Sequence, residues 1–585
     1  MPTLVIRVLS ILLTGMVGLP PVVLAEGIIF SDISIEAGII HSISGEGVCI
    51  FDYDGDGWSD ILVADFNGQN LLYHNLGDMT FEEVSAEAGL ATGESTRLVL
   101  AGDYDNDGDV DLFMGVVQNS SLLFRNNGDG TFTDVTTVSG IYNDSDIRGG
   151  AWCDFNNDGS LDLYLANLHD NNRLYQNNND GTFTDVATEL NALGPAATGL
   201  VMGLAILDFD GDHDSDIFMT QDGYKRNFLL RKESSGNFSD YSEEAGIDIE
   251  VQGMGVACGD VNGDGWFDVY TTNLDENSLF LNQGDGTFLE IEEAAGAADE
   301  AMSMSWGVFF FDADNDGWLD IFSNNQSGFG QVPSSFFHNL GDGTFEELSN
   351  TSGLELWNDG IGCAYGDLDN DGDIDLFLAG TPTENGSLHL LRNDSAPANW
   401  IQFTLEYSTG NTAAISSLVH VYSGNIVRTS FVSAGDGYCS QNTLRQHFGL
   451  GSSTMVDSVI IIWSGGETQV FGPFSANQHY LLSQEFGGIS PDNNLFLPQQ
   501  TVLYPLFPNP FNSQTNITFA LQKVSNVDLT IYDLKGQVVK ELIRQSIGEG
   551  IYKVKWKASD VPTGLYVVVL SADNRTNVQK VIHLK

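Results

Sequence analysis

Seven nine-residue segments share one formula, D-x-[D/N]-x-D-G-x-x-D, with oxygen-bearing side chains at positions 1, 3, 5 and 9 and glycine at position 6 in all but one. These side chains are Asp52, Asp54, Asp56 and Asp60; Asp103, Asp105, Asp107 and Asp111; Asp154, Asn156, Asp158 and Asp162; Asp208, Asp210, Asp212 and Asp216; Asp260, Asn262, Asp264 and Asp268; Asp312, Asp314, Asp316 and Asp320; and Asp367, Asp369, Asp371 and Asp375. Hard oxygen ligands at positions 1, 3 and 5, a main-chain carbonyl at position 7 and a glycine for the sharp turn are the chemistry of a Ca²⁺ loop. The carbonyls fall on Trp58, Asp109, Ser160, Asp214, Trp266, Trp318 and Asp373. Four carboxylates in nine residues repel unless a cation compensates, so polar turns alone do not account for the pattern. Mg²⁺ fits less well because it demands near-octahedral geometry and keeps its water. An EF-hand needs Glu at position 12 between helices. Here position 12 is Val63, Met114, Leu165, Met219, Thr271, Ser323 or Leu378, in strand-like surroundings. The expected cofactor is Ca²⁺ at about seven sites, stapling structure rather than signalling. The fourth site is expected to be the weakest, because His213 stands where glycine is wanted and a non-glycine side chain adopts positive φ uncommonly.

The loops start 51, 51, 54, 52, 52 and 55 residues apart, and their surroundings repeat with them. A small or apolar run (LVLAG, MGLAIL, SWGVFFF) precedes each loop and a second (DILVAD, DLFMG, DLYLAN) follows it. An L-[LY]-x-N strand, a GDGTF hairpin turn, an F-x-[DE]-[VIL] strand and a return turn such as AGL complete the unit. Four short strands per repeat, sevenfold, predict an all-β fold: a seven-bladed β-propeller with calcium loops. The closing F-x-D strand occurs at Phe30–Ile33, before the first loop, and is missing from the seventh repeat. The N-terminal strand is therefore expected to complete the last blade. A linear solenoid would need capping repeats instead.

This organisation places the propeller at 27–397, a small mixed β domain at 398–484, a linker at 485–500 and a C-terminal β-sandwich at 501–585. Residues 1–25 read as a secretory signal, with Arg7, the apolar run Val8 to Leu19 and a small-residue cleavage pattern at Val23-Leu24-Ala25. That run is too short to span a bilayer. A secreted or cell-surface chain with no transmembrane span in its mature form is expected.

The 585 residues carry 22 Lys+Arg against 81 Asp+Glu, a net charge of −59. Such a surface repels phosphate backbones, which excludes nucleic acid as a partner. Hydrophobic residues at 42% are enough to fill a core. Cys49, Cys153, Cys258 and Cys363 stand at equivalent places in separate repeats and are expected to be buried free thiols, with Cys439 left over. Asp436, Cys439 and His447 fall near one another in sequence, but no nucleophile motif such as G-x-S-x-G accompanies them, so no enzyme is expected. The rival class is a carbohydrate-binding or carbohydrate-active propeller, which would need paired carboxylates in a cleft. Trp58, Trp266 and Trp318 could serve it as sugar platforms, although packing on the neighbouring blade accounts for them more simply. Among nine basic residues between 27 and 397, Arg97 and Arg148 lie in return turns and Lys225 and Arg226 in a second-strand loop. All four are expected on the calcium-free face, as a contact for an acidic ligand.

At the aspartate loops the chain resembles the FG-GAP or VCBS repeat family, the calcium-loop propeller also seen in integrin α subunits. The resemblance implies adhesion or binding of an extracellular protein or polysaccharide. Asn399-Trp400, GDGYCSQ (Gly435 to Gln441), HFGLG (His447 to Gly451), IIWSGGETQ (Ile461 to Gln469) and Ala476-Asn477-Gln478 are similar to the ASPIC/UnbV domain. The combination resembles the cartilage acidic protein group, implying a calcium-binding matrix or adhesion role. YPLFPNPFN (Tyr504 to Asn512), VDLTIYDLKGQVV, Gly564 to Tyr566 and the closing KVIHLK are similar to type A sorting domains of the type nine secretion system. This resemblance implies the secretion machinery as a partner.

Overall fold

The computed structural model describes residues 27–484, apart from 118, 196–198, 300–302, 328–331, 384–385, 397, 408–409 and 425. Beyond these it describes 502–503 and 514–583, apart from 522, 524, 548–549, 559–560 and 573–574. The signal at 1–25, the linker at 485–500 and the run at 504–512 lie outside the described residues.

Each repeat folds as a four-stranded antiparallel sheet in sequence order. The first consists of Gly45–Phe51, Asp60–Asp65, Leu71–Asn75 and Phe81–Glu83. Among the described residues there are seven such sheets between Phe30 and Asn393. Their first strands are Gly45–Phe51, Thr96–Gly102, Asp146–Cys153, Val201–Leu207, Gly253–Gly259, Ser305–Phe311 and Asp359–Gly366. They touch in that order and the last touches the first, so the sheets form a closed ring around these strands. The last sheet is closed by the N-terminal strand Phe30–Asp32, paired so that Phe30 faces Asn393 and Asp32 faces Leu391. First and second strands are apolar on both faces because each sheet is sandwiched between neighbours. Cys49, Phe51, Leu62 and Leu72 of the first sheet, for example, share one core with Val99, Leu112, Met114 and Phe124 of the second. The expected return turns are one-turn helices in five sheets, among them Ser85–Ala88, which Gly89 closes at φ 83°. A glycine in the left-handed region is the ordinary way to end a helix.

The asparagine that ends the third strand joins sheet to sheet. Asn126 Nδ2 donates to the carbonyl of Val110 in its own loop (3.0 Å) and to that of Tyr53 in the preceding loop (2.8 Å). Asn177, Asn282, Asn339 and Asn393 repeat the second bond to Tyr104, Phe209, Val261 and Ala313 at 2.8–2.9 Å. Asn75 closes the ring on Leu368 at 2.8 Å. In the fourth sheet Lys232 takes this position.

The second domain covers the end of the ring that carries the aspartate loops. Its strand Asn399–Glu406 lies between Gln446–Gly451, antiparallel, and Gln478–Ser483, parallel. A four-stranded sheet of Ile426–Phe431, Leu418–Ser423, Ser458–Ile462 and Thr468–Phe471 stands beside it. Between these sheets the chain enters the ring as a plug over 434–442. Ala434 O accepts from Trp152 N (2.9 Å), Gly437 N donates to Val256 O (2.7 Å) and Gln441 N donates to Val48 O (2.8 Å). The Gln441 side chain donates to Ala101 O and accepts from Ala101 N, both at 3.0 Å. Gly47 is required by this close approach: a Cβ there would lie 1.9 Å from Cys439 O. Strands Val502–Leu503, Gln514–Leu521 and Gly550–Lys557 form one sheet of the C-terminal unit. Val538–Ile547, Ser525–Asp533, Gly564–Ala572 and Arg575–His583 form the other, and the two enclose a core around Phe519, Leu529, Trp556 and Val568.

Replacing Asn126 with Ala strips two buried carbonyls of their donor, at about 1–3 kcal/mol each. The variant is expected to melt several degrees lower, followed by tryptophan fluorescence, while Gln176→Ala, one residue from the equivalent Asn177, leaves the midpoint in place. Equal midpoints for the two variants would remove the asparagine from its joining role.

Candidate metal centres

The seven loops share one backbone geometry. Position 6 is left-handed in all of them, at φ 90°, 98°, 85°, 90°, 92° and 94° for Gly57, Gly108, Gly159, Gly265, Gly317 and Gly372, and 67° for His213. Position 4 is left-handed as well: Gly55, Gly211 and Gly263 lie at 71–76°, and Asn106, Asn157, Asn315 and Asn370 at 56–60°. Glycine and asparagine are the residues that visit this region routinely. Their alternation at position 4 was therefore a legible signal that the sequence reading did not use.

Main-chain N–H groups aim the carboxylates. The position 1 aspartate accepts from the N–H of position 6 at 2.7–3.1 Å in every loop. Position 5 accepts from position 7 at 2.8–3.0 Å. The position 9 aspartate takes the N–H of the last third-strand residue, Asn75 for Asp60 and Lys232 for Asp216, at 2.7–2.9 Å in all seven sheets. In six loops its second oxygen accepts from position 2, as Asp60 does from Tyr53 at 3.0 Å; the Oδ2 of Asp162 in the third has no such partner. With these directions set, one oxygen each from Asp52, Asp54 and Asp56 lies within 4.8 Å of the other two, and likewise for Asp103, Asp105 and Asp111 and for Asp208, Asp210 and Asp216. Several hard oxygens converging on one point suit a hard divalent cation.

Without such a cation the carboxylates are held far from their ordinary state. Burial pushes Asp60 up to about 8 and Asp111 up to about 9, and raises Asp162, Asp216, Asp268 and Asp375 well above the carboxylate range. Burial also pushes Asp154, Asp208, Asp260 and Asp367 up to about 6. Asp316, Asp369 and Asp373 reach about 7 through burial and the neighbouring aspartates.

The residue before the third-strand asparagine also faces the loop, which sequence reasoning missed. His74 Nδ1 lies 3.2 Å from Asp60 and 3.6 Å from Asp54, and His338 Nδ1 lies 3.0 Å from Asp320. Burial lowers the His338 pKa, but its bond to Asp320 and the charges of Asp314 and Asp316 outweigh this and leave it at about 9. The fourth loop differs twice. His213 Nδ1 stands 3.4 Å from Asp208, and the buried Lys232 ammonium stands 2.7 Å from Asp214.

The three tryptophans at position 7 are packed. A Cβ on Gly77, Gly284 or Gly341 would come within 2.5–2.8 Å of the ring of Trp58, Trp266 or Trp318, and the last two rings also rest on Gly211 and Gly263 of the preceding loop. All five cysteines are free. Asp436, Cys439 and His447 do not assemble. Asp436 accepts from Asn442 (2.9 Å), Cys439 Sγ donates to Arg148 O (3.1 Å), and His447 Nε2 pairs with Asn315 (2.6 Å). Burial lowers the His447 pKa to about 3.

The four basic residues expected to form a free anion contact require correction. Arg97 and Arg148 turn into the ring, where Glu46 (2.9 Å) and Asp146 (3.4 Å) hold Arg97 and Asp146 (3.0 Å) holds Arg148. Arg148 also donates to the hydroxyl of Tyr438 on the plug at 2.9 Å. Lys225 and Arg226 form a separate short strand against Glu250 and Val251, and Arg226 pairs with Asp240 at 2.6 Å. Arg97, Arg148 and Arg226 are paired with neighbouring acids at two distinct places, and Lys225 is exposed beside the second of these.

A ring of four-stranded sheets with an aspartate loop between the first two strands of each is an FG-GAP-repeat β-propeller. The FG-GAP-like repeat family matches residues 52–114, 103–165, 154–219, 208–271 and 260–323. The ASPIC and UnbV family matches 407–487, and the secretion system C-terminal sorting domain matches 505–584. The chain carries all three and is homologous to cartilage acidic protein 1. It is 26% identical over 464 residues to the Xenopus tropicalis protein, covering 72% of this chain and 70% of the relative. Against the Homo sapiens protein it is 27% identical over 464 residues, covering 72% and 69%. Among solved structures, the Cps50 (Swd1) β-propeller domain of Myceliophteria thermophila aligns at TM-score 0.37 and 10% identity, covering 61% of this chain and 98% of that one. The sorting domain indicates secretion or surface export. Among the described residues no helix is long and apolar enough to cross a membrane.

Carboxylates raised in the folded state bind more protons there than in the unfolded chain, so metal-free stability falls as pH rises from about 4 through the folded values of about 8 and 9. Chelated protein is expected to melt higher near pH 5 than near pH 8, and a bound cation flattens the trend by holding the carboxylates ionised. A chelated melt that rises with pH would contradict this charge state.

Proposed function

We propose that this is an exported, non-enzymatic calcium-binding protein, whose ions staple the propeller and whose assembled surface binds an extracellular protein or polysaccharide. The observation that carries the calcium reading is the sevenfold recurrence of one oxygen-lined loop in one backbone conformation. Seven divalent ions would add 14 positive charges to a chain of net charge −59 and offset the cost of crowding and burying these carboxylates. The non-enzymatic reading is supported by the separate hydrogen-bond partners of Asp436, Cys439 and His447 and by likeness to cartilage acidic protein 1. Adhesion is supported by that likeness together with the sorting domain, which would engage the type nine secretion machinery and bring the chain to the cell surface. The half-buried rings of Trp58, Trp266 and Trp318 lie against turn glycines, which supports packing rather than a sugar platform as their role. Pull-down from matrix-protein and polysaccharide mixtures, with and without calcium, tests the adhesion reading; recovery of no partner in either condition would remove it.

Calcium bound only by the native state contributes about 2.7 kcal/mol per site at a hundredfold excess over Kd. Chelation is expected to lower the melting temperature by many degrees, and elemental analysis should find about seven ions before it. The fourth loop is expected to bind last, and His213→Gly with Lys232→Asn to tighten it in a calorimetric titration. An unchanged melt in excess chelator, from protein that held no calcium beforehand, sinks the reading.

A further inference from the structure

The second domain lies on the loops rather than beside them. At the second loop Thr412 Oγ1 donates to Asp103 at 2.6 Å. At the third, Ser464 Oγ approaches Asp154 at 3.4 Å. At the sixth, Gly449 comes so close that a Cβ there would sit 2.0 Å from Asp312 Oδ2. At the seventh, Gln402 Nε2 donates to Asp367 at 2.8 Å, and Trp400 lies against Gly372, where a Cβ would meet its ring at 1.7 Å. Apart from Gly372, the group touched is the position 1 aspartate; Asp208 and Asp260 of the fourth and fifth loops are as buried as Asp312, at 5% exposure, so the donors Thr412, Ser464 and Gln402, rather than burial, set the second, third and seventh loops apart. Among the described residues, no second-domain side chain hydrogen-bonds a ligand-position side chain of the first, fourth or fifth loop.

The domain's charges follow the same plan. Residues 398–484 contain two Lys or Arg residues, Arg428 and Arg445. Arg428 lies 4.3 Å from the Trp318 ring, in the field of Asp312 and Asp260. Arg445 donates to Asn370 and lies in the field of Asp367 and Asp52. Each guanidinium thus stands between two successive loops of the ring, the fifth and sixth or the seventh and first.

We propose that the second, third and seventh loops are two-domain metal centres, in which a donor from the second domain fixes the first aspartate and slows release of the ion relative to the other four loops. The inference rests on the calcium reading. A donor fixed on the first carboxylate removes the freedom that carboxylate needs to swing away from an ion.

The test is release of calcium from the full chain into excess fluorescent chelator by stopped flow, with elemental analysis of the starting protein. Two kinetic classes are expected, with about three ions in the slow one. Thr412→Val combined with Gln402→Leu should move two ions from the slow class to the fast one, accelerating their release about tenfold or more, as loss of hydrogen bonds to charged groups implies. The total bound before release should stay the same. Circular dichroism and the melt of calcium-loaded variant report whether it is folded; if it is not, Thr412→Ser, which keeps the donor, and Thr412→Ala, which removes it, are compared instead. Calcium that leaves in a single phase, or a slow class unmoved by the substitutions, overturns the inference alone. Protein that holds no calcium at the start overturns the calcium reading and this inference with it.

Discussion

The constraint on which the rest of this structure depends is the buried carboxylate at position 9 of each loop. Asp60 and its six equivalents are 0–1% exposed, and a polar group so placed must find hydrogen-bond partners inside the protein. All seven accept a main-chain N–H from the end of the third strand, and all but Asp162 accept a second from the start of the loop. The residue supplying the third-strand N–H is, in six sheets, the asparagine whose amide reaches the loop of the neighbouring sheet. Loop conformation, sheet register and the seam between blades are therefore parts of one hydrogen-bonded unit. A cation there would act on the whole ring.

The fourth sheet shows the same constraint solved by other means. Lys232 keeps the main-chain bond to Asp216 but has no amide to reach across the seam, and its ammonium pairs with Asp214 instead. His213 takes up the left-handed turn and faces Asp208. Lys232 brings positive charge to a loop whose four carboxylates are intact, so that junction is partly neutralised by the protein itself.

The plug turns a ring with an axial opening into a filled body. Its residues complete main-chain hydrogen bonds of first strands that would otherwise face the axis. On the far side, Glu46, Arg97, Asp146, Arg148 and Tyr438 are linked by ion pairs and a hydrogen bond where basic residues had been expected at the surface. Buried charges require such pairing, which is why these arginines are unavailable to an outside anion. The ring and second domain also share a hydrophobic core, in which Leu98, Leu100 and Trp152 pack with Ile401, Phe403, Val419 and Trp463.

The sequence by itself determined the repeat, its four strands, the oxygen donors and the use of the N-terminal strand to complete the last sheet, because all of these follow from local spacing and from which residue types can occupy a turn or a buried strand. Asn106, Asn157, Asn315 and Asn370 at position 4 were legible on the same grounds. Only the tertiary structure decided that Asn126 and its equivalents join neighbouring sheets, since a partner 73 residues away leaves no mark on local pattern. It alone decided that GDGYCSQ is a plug and that Arg97 and Arg148 face inward. A strand's alternation tells that one face is inside, but whether that inside is a core, a channel or another domain is set by what arrives there from elsewhere in the chain. For the same reason Thr412 and Gln402, unremarkable in sequence, became neighbours of Asp103 and Asp367 only once the second domain was laid upon the loops.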